Sequence, residues 1–328
     1  MITEIKSTHN PNRLEIRWAL SNVCNFKCAY CFPGSNEGDQ RFPTNLELLV
    51  ENFNHMFDYY KKNLNKRFFD LKILGGEPTL WKDIEKFISK IKENHNIYIS
   101  IITNGSRTLR WWKKNGHLFD NVILSYHQKF GNLQHMIDVA DILYAQGKKV
   151  TVHVLMDPTC WDQCVSDIEH MKKYGKYKWM IQTKEVVSTN LFKSFYNESQ
   201  RTYLQKELKQ YPSVSWLVKN LKLLVNGNIK IFESRYIKNN KKHFATPQHY
   251  ITTKQNNFKG WQCAIGLETI YIEYDGLIKG SCGQSILDNN NILDIEFKQK
   301  FKPNFSPVIC KFNSCSCPPE THVTKKKL

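Results

Sequence analysis

Between residue 14 and about residue 186 a short apolar run alternates with an amphipathic helical pattern. Residues 14–20, 71–74, 97–103, 122–126, 149–156 and 178–186 read as strands. Residues 45–63, 82–92, 109–114, 133–146 and a stretch from Asp157 to Tyr174 read as the helices between and after them. In the first helix Leu46, Leu49, Phe53, Met56, Phe57 and Tyr60 fall on one face. Gly147 supplies a C-cap, and Asp157-Pro158 supply an N-cap and a first helical position. Strand–helix–strand alternation forces parallel strands with helices packed outside them. Six units are too few for a closed eight-fold barrel. The expected fold is therefore α/β, a partial (β/α)6 TIM-like barrel, with an open doubly wound sheet as the alternative. Either places reactive groups at the carboxyl ends of the strands.

Beyond residue 190 the rhythm changes. A helix is expected at 197–210, a shorter one at 216–224, and an exposed, lysine-rich connection at 238–257. Two β-runs, 269–273 and 277–279, flank Tyr274-Asp275-Gly276, a hairpin turn. After Gly283 the chain reads as loop. This divides the chain into a barrel (14–190), a connecting segment (191–259) and a small cysteine-rich β-hairpin domain (260–328). The net charge is +17, which could serve an anionic partner such as nucleic acid. Lysines are spread along the whole chain, however, so a solvated basic surface is the reading adopted. The local runs are 238–242 and 325–327, the second expected to be a loose tail. The first twenty residues interrupt any apolar stretch with charge, and no run approaches the ~18 residues of a membrane helix. The expectation is a cytoplasmic protein with no membrane partner. Ten cysteines without a secretion signal then point to metal or redox use.

Three of those cysteines stand together in Cys24-Asn-Phe-Lys-Cys28-Ala-Tyr30-Cys31. They follow the first barrel strand, on a connection of about 24 residues, far longer than usual and so expected to be functional. Three thiolates in this spacing can hold three irons of a cubane cluster and leave the fourth iron open to substrate or cofactor. A structural zinc knuckle is the alternative, but zinc wants four closed ligands and no other cysteine or histidine follows before His55.

Cys-x3-Cys-x-aromatic-Cys after a first β-strand resembles the signature of the radical S-adenosylmethionine (SAM) superfamily. The resemblance implies a catalytic [4Fe-4S] cluster on Cys24, Cys28 and Cys31, with SAM bound at the open iron. It also implies reductive cleavage to methionine and a 5′-deoxyadenosyl radical, hydrogen abstraction from a substrate, and a flavodoxin- or ferredoxin-type electron donor. Leu74-Gly75-Gly76-Glu77-Pro78 ends the second strand. Its glycines allow close backbone approach, and Glu77 could neutralise an ammonium group. It resembles the motif with which the family holds the SAM amino group, assigning Gly75, Gly76 and Glu77 that role. Asn104, in Thr103-Asn104-Gly105, and Ser125 match family positions that contact SAM. Arg17, Lys72, Ser125, His127, His153, Gln182 and Lys184 form one candidate inward set. His127 and Gln182, near strand ends, are the residues most expected to meet a polar substrate. Cys160 and Cys164, four apart at the start of the fifth helix, could return a hydrogen atom to a substrate radical if the helix N-terminus lowers their pKa. Inert, half-buried thiols are the alternative.

Cys263, Cys282, Cys310, Cys315 and Cys317 remain. Four of them could close a second iron–sulfur cluster, or a zinc site. A cysteine before the hairpin and one after it resembles the SPASM/twitch extensions of radical SAM enzymes. Five residues between Gly276 and Cys282, and an incomplete terminal pattern, suggest one auxiliary cluster of twitch type. Its ligands would be Cys263, Cys282 and two of the other three. The family resemblance implies a peptide or protein side chain as substrate, or else epimerisation or dehydrogenation of a carbohydrate or nucleotide sugar. A zinc-stabilised nucleic-acid-binding protein is the alternative of another class. It leaves the Gly-Gly-Glu-Pro run without a purpose.

Overall fold

Side chains alternate across a strand, and in the barrel strands the two faces differ sharply. On one, Leu14, Ile16, Trp18, Leu71, Ile73, Ile99, Ile101, Val122, Leu124, Val152 and Val154 are all fully or almost fully buried. The other carries Arg17, Lys72, Ser125, His153, Gln182 and Lys184. The apolar face packs under the helices and the polar face lines the barrel interior.

The computed structural model describes residues 2–7, 10–175, 178–186, 196–210, 234–238, 241–245, 250–251, 253–284, 286, 290–303, 305–315 and 318–328. In chain order the elements are β1 (Ile2–Ser7), β2 (Arg13–Ala19), α1 (Leu46–Leu64), β3 (Phe68–Leu74), α2 (Ile84–Asn94) and β4 (Ile97–Thr103). Next come α3 (Leu109–Asn115), β5 (Asn121–Tyr126), α4 (Leu133–Ala145), β6 (Lys149–Met156), α5 (Trp161–Gly175), β7 (Met180–Glu185) and α6 (Glu198–Gln210). The remainder holds β8 (Ser234–Lys238), β9 (Lys241–Ala245), β10 (Gln262–Cys263), β11 (Thr269–Ile272), β12 (Ile278–Lys279), α7 (Phe297–Lys300), β13 (Val308–Ile309), α8 (Pro318–Thr321) and β14 (Lys325–Lys326).

One eight-stranded sheet runs β12-β11-β2-β3-β4-β5-β6-β7. All its pairings are parallel except β11 with β12. Its edges do not meet, so the barrel is open, as six units require. The hairpin after residue 260 extends this sheet through β11, which pairs with β2, and Gly276 takes a φ of 88° at its turn. Helices start where short polar side chains can cap them. Asn45 accepts from the Leu48 amide, Thr108 from Trp111 and Asn132 from His135. Asp157 caps a short 3-10 turn, Pro158–Cys160, that leads into α5. Under α1 and α2, Phe53 and Phe87 pack against Trp18 in tilted geometry at ring separations of 5.1 Å. Each such buried ring contributes about 1.5–3 kcal/mol relative to exposure.

One expectation is sharpened here and one fails. The 238–257 connection contains strand. Lys238 ends β8 and Lys241 opens β9, and this hairpin joins a second sheet, β13-β10-β14-β1-β8-β9. The 325–327 tail is not loose. β14 lies between β10 and β1, and Lys325 is 1% exposed. Its ammonium donates to the carbonyls of Glu320, Thr321 and Val323 and sits 5.1 Å over the Phe258 ring. A charged residue is tolerated there because every proton has an acceptor. The helix expected at 216–224 lies outside the described residues. Among the described residues no helix is long and apolar enough to cross a membrane.

Candidate active site

The 20–45 connection is held shut by Asn22, which is buried. Its side-chain amide donates to the Gly34 carbonyl (2.8 Å) and to Asp39 (2.6 Å), and its Oδ1 accepts from the Gln40 amide (2.8 Å). Ser21 adds a bond to the Gln40 carbonyl at 2.8 Å. These contacts join the two ends of the cysteine loop and turn a long excursion into a fixed one. Asn22 carries no sequence signal beyond its place just ahead of Cys24, and the sequence reading missed it.

The glycine turn after β3 packs directly on that loop. Gly75 and Gly76 have φ values of 92° and 45°. A Cβ on Gly75 would stand 2.7 Å from the Tyr274 ring and 2.8 Å from the Ser21 carbonyl, and one on Gly76 would run into the Val23 carbonyl. Only glycine satisfies both the backbone conformation and the approach. The Glu77 amide then donates to the Val23 carbonyl at 2.8 Å.

Glu77 itself differs from its expected role of facing an ammonium group. It is fully buried. One carboxylate oxygen accepts from the Thr79 amide (3.0 Å), the Thr79 hydroxyl (2.6 Å) and the Thr103 hydroxyl (2.7 Å). The other accepts from the Asn104 amide at 2.6 Å. Burial raises its pKa, against the hydrogen bonds that lower it. With its oxygens committed to protein donors, Glu77 ties the end of β4 to the glycine turn and positions the backbone.

Cys24, Cys28, Cys31, Gly75, Gly76, Asn104, Ser125 and His127 line one cavity of about 250 Å³ at the carboxyl ends of β2 to β5, with Tyr274 reaching in from the hairpin. Tyr274, read from sequence only as part of a turn, is a wall residue. Asn104 donates to Asn25 at 2.9 Å and approaches the Cys24 sulfur at 3.9 Å. The Phe26 amide points at the same sulfur from 3.4 Å. His127, just past β5, meets the cysteine loop: its Nδ1 is 3.3 Å from Cys28 Sγ and 2.9 Å from the Tyr30 hydroxyl. Burial pushes this imidazole down to about 4, so the ring is neutral at neutral pH.

Burial pushes all three thiols up, Cys28 to about 11. They also act on one another: Cys31 and Cys24 raise Cys28, and Cys24 raises Cys31. Crowded thiols of this kind keep their protons until a soft metal displaces them. Among the described residues no three Cys, His, Asp or Glu side chains converge on a single-ion site. All three thiols line the cavity.

Gln182 is not among the cavity's wall residues. It pairs across the strands with His153, to which it hydrogen-bonds. Burial, with Lys184 and Lys72 adding to it, pushes His153 down to about 3. Cys160 and Cys164 do not reach the cavity either. Cys164 is fully buried in the core between sheet and helices, 3.9 Å from Cys160, and donates to the Leu155 carbonyl. Burial raises both thiols, Cys164 to about 12, opposite to the lowering expected from the helix N-terminus. The desolvation of the site outweighs the dipole, and the hydrogen-donor expectation loses its geometric basis.

Of the C-terminal thiols, Cys263 ends β10 and Cys310 follows β13 in the second sheet, while Cys282 follows β12 of the first. Cys263 and Cys315 are buried, Cys282 and Cys310 half-buried. Burial raises Cys263 and Cys282, to about 11 and about 12, and Cys263 also responds to Cys315, Cys282 to Cys263, and Cys315 to Cys310. The Cys282 amide donates to Glu320 at 2.9 Å, and Lys325 is the cross-strand neighbour of Cys263. Cys317 lies outside the described residues.

An open parallel barrel thus places three thiols and a glycine turn around one cavity at its strand ends, residues that could hold a metal centre and a cofactor. Residues 18–127 match the model of the Radical SAM superfamily. It is 29% identical over 181 residues to the GTP 3′,8-cyclase of Photorhabdus laumondii, covering 48% of this chain and 50% of that protein. It is 33% identical over 111 residues to the GTP 3′,8-cyclase of Pasteurella multocida, covering 33% and 32%. The chain thus spans a third to a half of the length of these curated relatives. Its fold is similar to that of native anSMEcpe with bound AdoMet and Kp18Cys peptide, with a TM-score of 0.54, 18% identity, and 89% of this chain and 81% of that one covered. A match to this superfamily implies a [4Fe-4S] cluster and SAM.

Proposed function

We propose that this chain is a radical SAM enzyme that cleaves SAM reductively and abstracts hydrogen from a polar substrate. The observation that carries the reading is the shared cavity: three loop thiols, the Gly75–Gly76 backbone, Asn104 and Ser125 line the same 250 Å³ space. Cys24, Cys28 and Cys31 would hold the cluster, which when bound supplies the electron that splits SAM. Gly75 and Gly76, with no side chains of their own, offer backbone groups at the place where an ammonium group can be received. Asn104 and Ser125 supply polar contacts further along the strand ends. Glu77, Thr79 and Thr103 keep that backbone fixed. Cys263, Cys282, Cys310 and Cys315 are proposed to hold one auxiliary cluster, in a twitch-like extension over residues 260–328.

The proposed substrate is a peptide or protein side chain, supported by the fold's likeness to an enzyme seen with a bound peptide. A second reading is a nucleotide or sugar-phosphate. Arg17 and Lys72, cross-strand neighbours on the barrel's inner face, add positive charge there that suits an anion. The relatives' names, GTP 3′,8-cyclase, point the same way. A small acidic electron-transfer protein is the proposed donor.

The test is anaerobic incubation of the reduced, reconstituted protein with SAM and candidate substrates in deuterated water. Formation of 5′-deoxyadenosine and methionine is expected. Substrate-dependent product from peptides but not nucleotides would favour the first substrate reading, and the reverse the second. No SAM cleavage by iron-loaded protein under strong reductant would reject the proposal.

A further inference from the structure

His127 belongs to a barrel strand end, yet its ring is packed into the cysteine loop. It lies parallel to the Tyr30 ring, with centroids 5.8 Å apart and 5° between planes, and edge-on to Phe26 at 5.9 Å. This packing aims one nitrogen, Nδ1, at both Cys28 Sγ (3.3 Å) and the Tyr30 hydroxyl (2.9 Å). A metal-bound thiolate has no proton and can only accept hydrogen bonds. A ring nitrogen held against it must therefore carry the hydrogen, because a lone pair there would face a negative sulfur. Sulfur occupancy thus selects the Nδ1–H tautomer. Tyr30, whose hydroxyl lies 2.9 Å from that nitrogen, can accept part of the same N–H and turn its own proton to the sulfur. Donors of this kind drain charge from the sulfur and favour the reduced state.

Resting on the reading that Cys28 holds the catalytic cluster, we propose that His127 and Tyr30 form a hydrogen-bonding clasp on the Cys28 thiolate that raises the reduction potential of that cluster. His127 is then a positioning and tuning residue, and not the substrate contact expected from its place at a strand end.

Redox titration of the reconstituted full chain, followed by electron paramagnetic resonance, tests this. The component whose signal changes on adding SAM reports the catalytic cluster. His127→Phe is expected to shift its midpoint lower, by about tenfold in the reduction equilibrium, or about 59 mV for a one-electron couple. His127→Asn, which can keep an N–H near the Nδ1 position, is expected to restore most of the shift. Tyr30→Phe, which keeps the ring stack, is expected to give a smaller shift in the same direction. An unchanged midpoint in His127→Phe with full iron content, or His127→Asn as low as His127→Phe, would overturn the clasp. Should His127→Phe fail to load iron, a wild-type midpoint in Tyr30→Phe would overturn it equally. A wild-type protein whose signal ignores SAM would instead remove the cluster reading on which the clasp rests.

Discussion

Cys24, Cys28 and Cys31 come from eight consecutive residues, whereas Cys263, Cys282, Cys310 and Cys315 are scattered over more than fifty, with strand pairing joining the segments of Cys263 and Cys310. The first group lines an open cavity and is steadied from outside, by Asn22 across the loop and by the glycine turn beneath it. The second is embedded beside Glu320 and Lys325, both about 1% exposed, with Cys263 and Cys315 buried as well. A site that must admit a ligand leaves part of its metal uncovered and relies on backbone to receive what binds there. Four thiols with buried charges around them suit a group that stays closed.

The largest effect should separate the two groups. Cys28→Ala is expected to abolish SAM cleavage and lower iron from roughly eight to about four per chain. Cys282→Ala should lose a similar share of iron and still bind SAM. Loss of SAM cleavage in both, with all iron gone from both, would show that the two groups are not independent, as measured by iron and sulfide analysis with product chromatography. Next, Gly76→Ala forces a side chain into the Val23 carbonyl at a positive φ. It should cost about 1–3 kcal/mol and weaken SAM binding at least tenfold by calorimetry, leaving the C-terminal thiols untouched. Glu77→Gln places an amide against the donors of Thr103 and Asn104. A stability loss of about 1–3 kcal/mol in chemical denaturation is expected, and unchanged stability with weakened SAM binding would return Glu77 to a direct contact.

The smallest effect concerns acid. His153 is held to about 3, first by burial and then by Lys184 and Lys72, while the unfolded chain protonates it near 6.5. The unfolded state therefore binds more protons, and stability falls as pH drops from about 6.5 towards 3. His153→Gln should take up about one proton fewer on unfolding in that window, read as a flatter melting temperature against pH. An identical slope would mean that His153 is charged in the folded protein.

Legibility in the sequence followed the range of the interactions. The barrel strands and α1 were readable because their periodicity is local, and all six apolar positions named on α1 are buried. The cysteine loop was readable because its ligands are neighbours in the chain. β1 and β14 were not, since each is a strand only by pairing with residues far away in sequence. Lys325 looked like tail because three consecutive lysines normally seek water, and the carbonyls that satisfy it are supplied by α8 and the turn after it. Glu77 looked like a ligand because its donors, Thr79 and Thr103-Asn104, come from two separate segments. Cys160 and Cys164 looked reactive because helix position is visible in sequence and burial is not.

The most direct measurement is electron paramagnetic resonance of the reduced, iron-reconstituted Cys282→Ala protein, with and without SAM. A cluster signal that remains in this variant and shifts when SAM is added would place an open iron at the Cys24–Cys28–Cys31 loop. A signal of full intensity that SAM leaves unchanged would contradict the account.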